Sequence, residues 1–210
     1  MRRSSYPPRR RASKSHTRGL FDKRPPLVLR TRRPLAAVIV TIDAAKRSGC
    51  ATFALGKLLS HSQIKAHERP HERLHFLELA IKHAYLLAVP CGLVLEVPWG
   101  GFRAAQNSLT ASAALWRDSW LQLGRDAEHV LEVEAGEWRR ALFGTGSIPR
   151  EAQQRIEALT AAQVAKLHPA ELLTAEAIGS DAAAAICLGV TCTHSLDLQK
   201  ALGCQLCAVP

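Results

Sequence analysis

The sequence predicts a mixed α/β domain: a five-stranded sheet, three antiparallel strands followed by parallel ones, with helices on both faces. Three observations predict it. Two apolar runs, "LAAVIVTID" (35–43) and "GLVLEV" (92–97), are continuous and rich in β-branched or aliphatic residues, as expected of strands buried on both faces. The segment between them contains apolar positions at helical spacing, and a strand reached through a helix usually runs parallel to an earlier one. The order of elements (three strands, helix, strand, helix, strand, helices) then calls for helices on both faces of a mixed sheet.

Each element has its own signal. The first strand ends on Asp43, and "AAKRSGC" reads as a turn punctuated by Gly49. "ATFALGKLLS" (51–60) reads as the second strand and "HSQIKA" as a short third, completing a meander. Over 69–88, Leu74, Leu77, Ala80, Ile81 and Ala84 mark a buried helical stripe, and Pro70 suits a first turn. "GLVLEV" follows as a strand that carries one carboxylate, Glu96. Residues 102–124 form a second helix rich in Ala and Ser, and "EHVLEVEA" (128–135) a further strand. "GEWRRALFG" and "IPREAQQRIEALTAAQVAKL" are helices around the turn "GTG", and "SDAAAAICLGVTC" (180–192) is a last helix, with Ser180 or Asp181 as its cap.

Charge divides the chain. Residues 1–33 hold 12 of the 28 Lys and Arg against one acid, Asp22, a net of +11. The remaining 16 basic and 17 acidic residues leave residues 34–210 at −1. The tail also holds Pro7, Pro8, Pro25 and Pro26 and little core-forming material, so it is expected to be disordered and to attract phosphates in a salt-dependent way. A solubilising or targeting tail is the alternative. Three parts are expected: a basic tail (1–33), a folded domain (34–194) and a C-terminal extension (195–210).

No apolar run approaches the roughly 20 residues of a membrane span, and no hydrophobic stretch follows the basic N-terminus as a secretory signal requires. No membrane partner is expected, and the expected location is cytoplasmic. The Arg- and Ser-rich start keeps organelle targeting open. Without a secretion signal, the six cysteines are expected as free thiols. Cys192, His194, Cys204 and Cys207 form a C-x-H…C-x-x-C pattern with zinc-ligand chemistry, but its spacing fits no familiar zinc module. His67, His71 and His75 have i, i+4, i+8 spacing; exposed positions on an amphipathic helix explain them and the nearby His61 and His83.

Three carboxylates carry chemistry. Asp43 closes one apolar strand and Glu96 lies near the end of another. If those strands are parallel neighbours, both acids share one sheet edge, where α/β sites form. Asp181 opens a late helix, whose positive end favours negative charge. Carboxylates brought together repel unless cations bridge them, and hard divalent ions such as magnesium take such oxygens. Asp181 as a cap and Asp43 as a turn starter are the structural alternatives. An apolar strand offers Glu96 no comparable one.

The motifs "VTIDAAKRSGCATFALGKLL", "LVLEVPWGG" and "SDAAAAICLG", in that order over residues 35–194, resemble the RuvC-type Holliday-junction resolvases of the RNase H-like nuclease superfamily. The resemblance implies an RNase H-like sheet, and a structure-specific endonuclease that resolves four-way DNA junctions by phosphodiester hydrolysis. It implies two Mg2+ ions, for which Mn2+ substitutes, bound by Asp43, Glu96 and Asp181. It also implies a homodimer on branched DNA, with the helix over 102–124 as the candidate dimer surface. The family usually has a fourth acid three residues before the last one; here that position is Ile178. The nearest acid, Glu176, precedes Asp181 by five residues, which on a helix points about 140° away. Glu176 serves only if the helix begins near Ser180, with Gly179 as the break.

Further residues follow from the resemblance. Trp99 stands where the family often has an aromatic that wedges into the junction; a packed loop Trp is the alternative. Arg139, Arg140 and Arg150 match basic positions near the scissile phosphate, and a solvated helix face explains them nearly as well. Lys46 and Arg47, just after Asp43, are candidate phosphate contacts. Trp116, Trp120 and Trp138 read as core or dimer residues. Two other readings stay open: a catalytically degenerate nucleic-acid-binding module, suggested by Ile178, and a nuclease for other branched DNA.

Overall fold

A computed structural model describes residues 36–97, 103–144, 149–164 and 178–194. Their strands are β1 (Val38–Asp43), β2 (Arg47–Ala54), β3 (Lys57–Lys65), β4 (Cys91–Val97) and β5 (Val130–Glu134). They form one sheet in the order β3-β2-β1-β4-β5. β1 pairs antiparallel with β2 and parallel with β4, and β4 pairs parallel with β5. This is the mixed sheet the sequence predicts. β1 and β4 lie in its interior, and their apolar runs are buried almost throughout.

The helices are α1 (Pro70–Leu87), α2 (Arg103–Gln122), α3 (Ala135–Phe143), α4 (Arg150–Val164) and α5 (Ser180–His194). The strand period of two assigns them to faces. Val38, Val40 and Ile42 of β1 and Leu93 and Leu95 of β4 share a core with Leu77 and Ala80 of α1 and Trp116 and Trp120 of α2. Thr41, on the alternate set, donates its hydroxyl to the carbonyl of Ala185 on α5 at 2.7 Å. Asp43 and Glu96 fall on that α5 side. Trp116 and Trp120 are fully buried in this core, where their Nε1 groups donate to Ser48 Oγ and the Asp126 carbonyl.

The meander differs from expectation in its turn. The chain reverses at Leu55–Gly56, so β2 ends at Ala54 and β3 begins at Lys57. Both turn residues have positive φ (49° and 79°), as a two-residue hairpin loop of the primed type demands. Leu55 is an unusual occupant of that conformation, which hides the turn within an apolar stretch. A register shift between Thr52 and Phe53 marks a bulge in the β2–β3 pairing. Gly49 is likewise not a turn residue. It lies within β2, and a Cβ there would stand 1.7 Å from the Asp181 carbonyl oxygen. Its role is to let α5 approach the sheet.

α1 is rotated from the expected stripe. Arg73 and Phe76 are buried with Leu77, Ala80 and Ala84, whereas Leu74 and Ile81 are only half-buried. Arg73 can be buried because its Nε donates to Ser119 Oγ of α2 at 3.1 Å. His67 precedes α1, so it cannot continue a helical stripe with His71 and His75; its Nε2 lies 3.1 Å from Ser112 Oγ instead. Among the described residues no helix is long and apolar enough to cross a membrane.

Candidate active site

Parallel pairing sets β1 beside β4 with Asp43 opposite Glu96, so two carboxylates stand on adjacent strands at one sheet edge. α5 delivers the third. Gly179 takes a left-handed φ of 64°, and its carbonyl accepts the amide of Ala183 as the helix begins. Gly179 therefore opens the helix, and the Asp181 side chain lines a cleft of about 170 Å³ with Asp43, Arg139, Arg150 and Glu157. Neither Ser180 nor Asp181 is the cap.

The electrostatics are those of like charges held out of water. Burial pushes the Asp43 carboxyl well above its ordinary value, and Glu96, Asp181 and Glu157 add to the push while Arg139 opposes it. Burial also raises Glu96, against the pull of Arg139 and of a hydrogen bond from Trp138 Nε1 to Oε2 at 2.9 Å. Arg139 Nη2 faces Glu96 Oε1 at 3.4 Å and its Nε faces Glu157 Oε1 at 3.4 Å.

Glu157 was invisible in the sequence. It sits in the polar run "REAQQRIEALTAAQV" and is nonetheless buried in the fold. The only local signal is Gln153 one helical turn earlier, whose Nε2 donates to Glu157 Oε1 at 2.9 Å. Trp138 is core, as expected, but it also orients Glu96.

The other candidates are distributed unevenly. Arg139 and Arg150 line the acidic cleft; Arg140 is exposed and does not. Lys46 is exposed in the β1–β2 turn. Arg47 lines a second cleft, of about 210 Å³, with Gln63, Lys65, Arg69 and Glu72. Ile178 is buried apolar packing. α5 does begin at Ser180, as a role for Glu176 requires, but Glu176 and Trp99 lie outside the described residues, as do the basic tail, Cys204 and Cys207. Cys192 is fully buried, and burial pushes its thiol up to about 12, a poor state for a zinc ligand.

Hard carboxylate oxygens at one sheet edge suit a divalent cation in chemistry. Asp43, pushed up by burial and then by three neighbouring acids, is the observation that calls for one. In arrangement the fit is incomplete. Among the described residues no three carboxylate, imidazole or thiolate groups stand together as a coordination set, and Glu96 is engaged by Trp138 and Arg139.

A central mixed sheet in the order β3-β2-β1-β4-β5, with helices on both faces, is an RNase H-like fold. The structure of T. thermophilus RuvC in complex with a Holliday junction substrate matches with a TM-score of 0.54 and 18% identity, over 78% of this chain and 96% of that one. A second Thermus thermophilus RuvC structure matches with a TM-score of 0.45 and 19% identity, over 74% and 94%. The first establishes a RuvC-type fold. No protein-family model and no curated protein matches the sequence.

Proposed function

We propose that this protein is a divalent-cation-dependent, structure-specific DNA endonuclease that resolves four-way junctions. The observation that carries the reading is the Asp43–Glu96 register pair, with Asp181 beside Asp43 in one cleft of a RuvC-type fold. Asp43, Glu96 and Asp181 would hold two Mg2+ ions, or Mn2+ in their place. Such ions would supply Lewis acidity, making a water more acidic and countering charge on the leaving oxygen. The protein's own groups do the rest. Trp138 fixes Glu96 by its Nε1–H. Arg139 and Arg150 bind and orient the phosphate from the cleft wall. Arg47 and Lys46 take up flanking phosphates, with Trp99 and the basic tail as further DNA contacts. Two symmetric cuts in a four-way junction call for a two-fold dimer.

The test is cleavage of a labelled junction by Asp43→Asn. Product should vanish while junction binding survives; unchanged cleavage would sink the active-site assignment. A second reading, a binding module without catalysis, is favoured by the apolar Ile178 where an acid is expected. Binding without product in both magnesium and manganese would establish it. Equal cleavage of flap, junction and duplex would instead point to a broader branched-DNA nuclease.

A further inference from the structure

Arg139 is the hub of a chain of contacts that crosses three elements. Trp138 Nε1 donates to Glu96 Oε2, Glu96 Oε1 meets Arg139 Nη2, Arg139 Nε meets Glu157 Oε1, and Gln153 Nε2 closes on that same oxygen. The Arg139 guanidinium carbon also lies 4.7 Å from the centre of the Trp138 ring. Both arginine–carboxylate contacts measure 3.4 Å, so the guanidinium is shared between two acids rather than seated on one. Neither contact uses Nη1.

Glu157 is the unexplained member. Its side chain is only 4% exposed, and it brings a negative charge into a cleft that already holds Asp43 and Asp181. A neutral side chain of that size would fill the space on α4 without the cost of burying a charge. What a carboxylate offers there is a charged acceptor for the Nε–H of Arg139, stronger than the amide oxygen a glutamine would supply. A planar guanidinium can use one nitrogen as an anchor and present another.

We propose that Glu157 is a positioning residue: it holds Arg139 by Nε, so that the Nη nitrogens stay over the carboxylate cleft and can pass from Glu96 to an oxygen of the DNA phosphate. The functional half of this proposal rests on the nuclease reading; the geometric half does not. An arginine so held needs no reordering when substrate arrives, which is how a positioning contact acts on rate.

The test uses the full chain and two variants that keep shape or charge, Glu157→Gln and Arg139→Lys. The Nε–H signal of Arg139 is identified in 15N–1H spectra by its disappearance in Arg139→Lys. Its exchange with solvent should be at least about tenfold faster in Glu157→Gln than in the unaltered protein. Single-turnover cleavage of a saturating four-way junction should slow by about tenfold to a hundredfold in either variant. Junction affinity measured in EDTA should change by less than about threefold, because one cleft contact is a small part of a polyphosphate interface. In the double variant, Glu157→Gln should cost less than about twofold beyond Arg139→Lys, since lysine has no Nε to anchor. Unchanged exchange and rate in Glu157→Gln would overturn the proposal. Multiplying losses in the double variant would do so as well, because Glu157 would then act without Arg139. Should Glu157→Gln fail to fold, Arg139→Lys decides: an undiminished rate there overturns the proposal. If the unaltered protein cuts no branched DNA, the nuclease reading fails and the exchange measurement alone judges whether Glu157 holds Arg139.

Discussion

The cleft around Asp43 and Asp181 keeps Glu157 and its neighbour Glu96 largely out of water, whereas the cleft around Arg47 and Lys65, farther along the same sheet edge, leaves its charges in water. The sheet places them together. Asp43 pairs with Glu96 across β1 and β4, and Arg47 pairs with Lys65 across β2 and β3. In the first cleft Glu157 and Glu96 are largely buried and share one guanidinium. In the second, Lys65 and Arg69 are about half exposed, and each has a local partner: Glu68 at 2.9 Å and Glu72 at 2.6 Å. Exposed pairs of that kind contribute about 0–1 kcal/mol and are interchangeable. Buried like charges cost far more. The contrast teaches where single residues are decisive and where only their sum matters.

Asp43→Asn should break the acidic cleft most completely. Cleavage should fall by about a thousandfold or more if Asp43 holds the cations. The same change should raise the melting temperature of the cation-free protein, because it removes a buried charge that its neighbours repel. A drop in both activity and stability would mean that Asp43 is structural.

Gly49→Ala tests how Asp181 reaches the cleft. The added Cβ would stand 1.7 Å from the Asp181 carbonyl oxygen and 2.7 Å from the Ala182 amide, both backbone atoms that cannot swing aside. We expect about 3 kcal/mol of destabilisation, read from denaturant midpoints, and lost cleavage in whatever protein folds. Gly136 meets nothing within 4 Å and lies in α3, so Gly136→Ala should be neutral or stabilise by about 0.5–1 kcal/mol. Equal behaviour of the two would refute the close approach of α5.

Much of this site is legible in the sequence. Strands buried on both faces must be apolar, so a carboxylate at the end of "VIVTID" or "GLVLEV" stands out. The long buried face of α5 is legible for the same reason. The rest depends on long-range packing. Arg73 breaks the expected stripe of α1 because Ser119, 46 residues away, accepts its hydrogen bond. Leu55 disguises a turn because its conformation, not its side chain, makes the reversal. Glu157 looks like any acid on a solvated helix until the fold closes Arg139 over it.

Proton uptake sharpens the contrast at an intermediate scale. Asp43, Glu96 and Glu157 all bind their protons more tightly in the folded chain than unfolded, chiefly because burial disfavours their charged forms. Folding therefore takes up protons. Their contribution to stability is intact below the ordinary carboxylate range and is lost as pH rises through the raised values. In EDTA, the stability of the unaltered protein relative to Asp43→Asn should fall as pH climbs above the ordinary carboxylate range. Added Mg2+ should flatten the difference by favouring the charged acids. A difference that stays constant with pH in EDTA would mean that Asp43 is not held under strain.

The smallest expected effect belongs to the basic cleft. Each phosphate neutralised on duplex DNA contributes about 0.9 to the dependence of log affinity on log salt. Arg47→Ala with Lys65→Ala should therefore lower that slope by about 1.8, provided both side chains touch phosphates. The N-terminal tail must be present in both proteins, so that any slope from its 12 basic residues cancels in the difference. Affinity at physiological salt should fall by about tenfold, because removing Lys65 also leaves Glu68 without its partner beside the DNA. The two clefts then separate by observable. Arg139→Lys slows cleavage and leaves the slope unchanged; the Arg47/Lys65 pair changes the slope and affects cleavage mainly through occupancy. A salt slope indifferent to Arg47 and Lys65 would leave the acidic cleft as the site and remove the basic one from the path of the DNA.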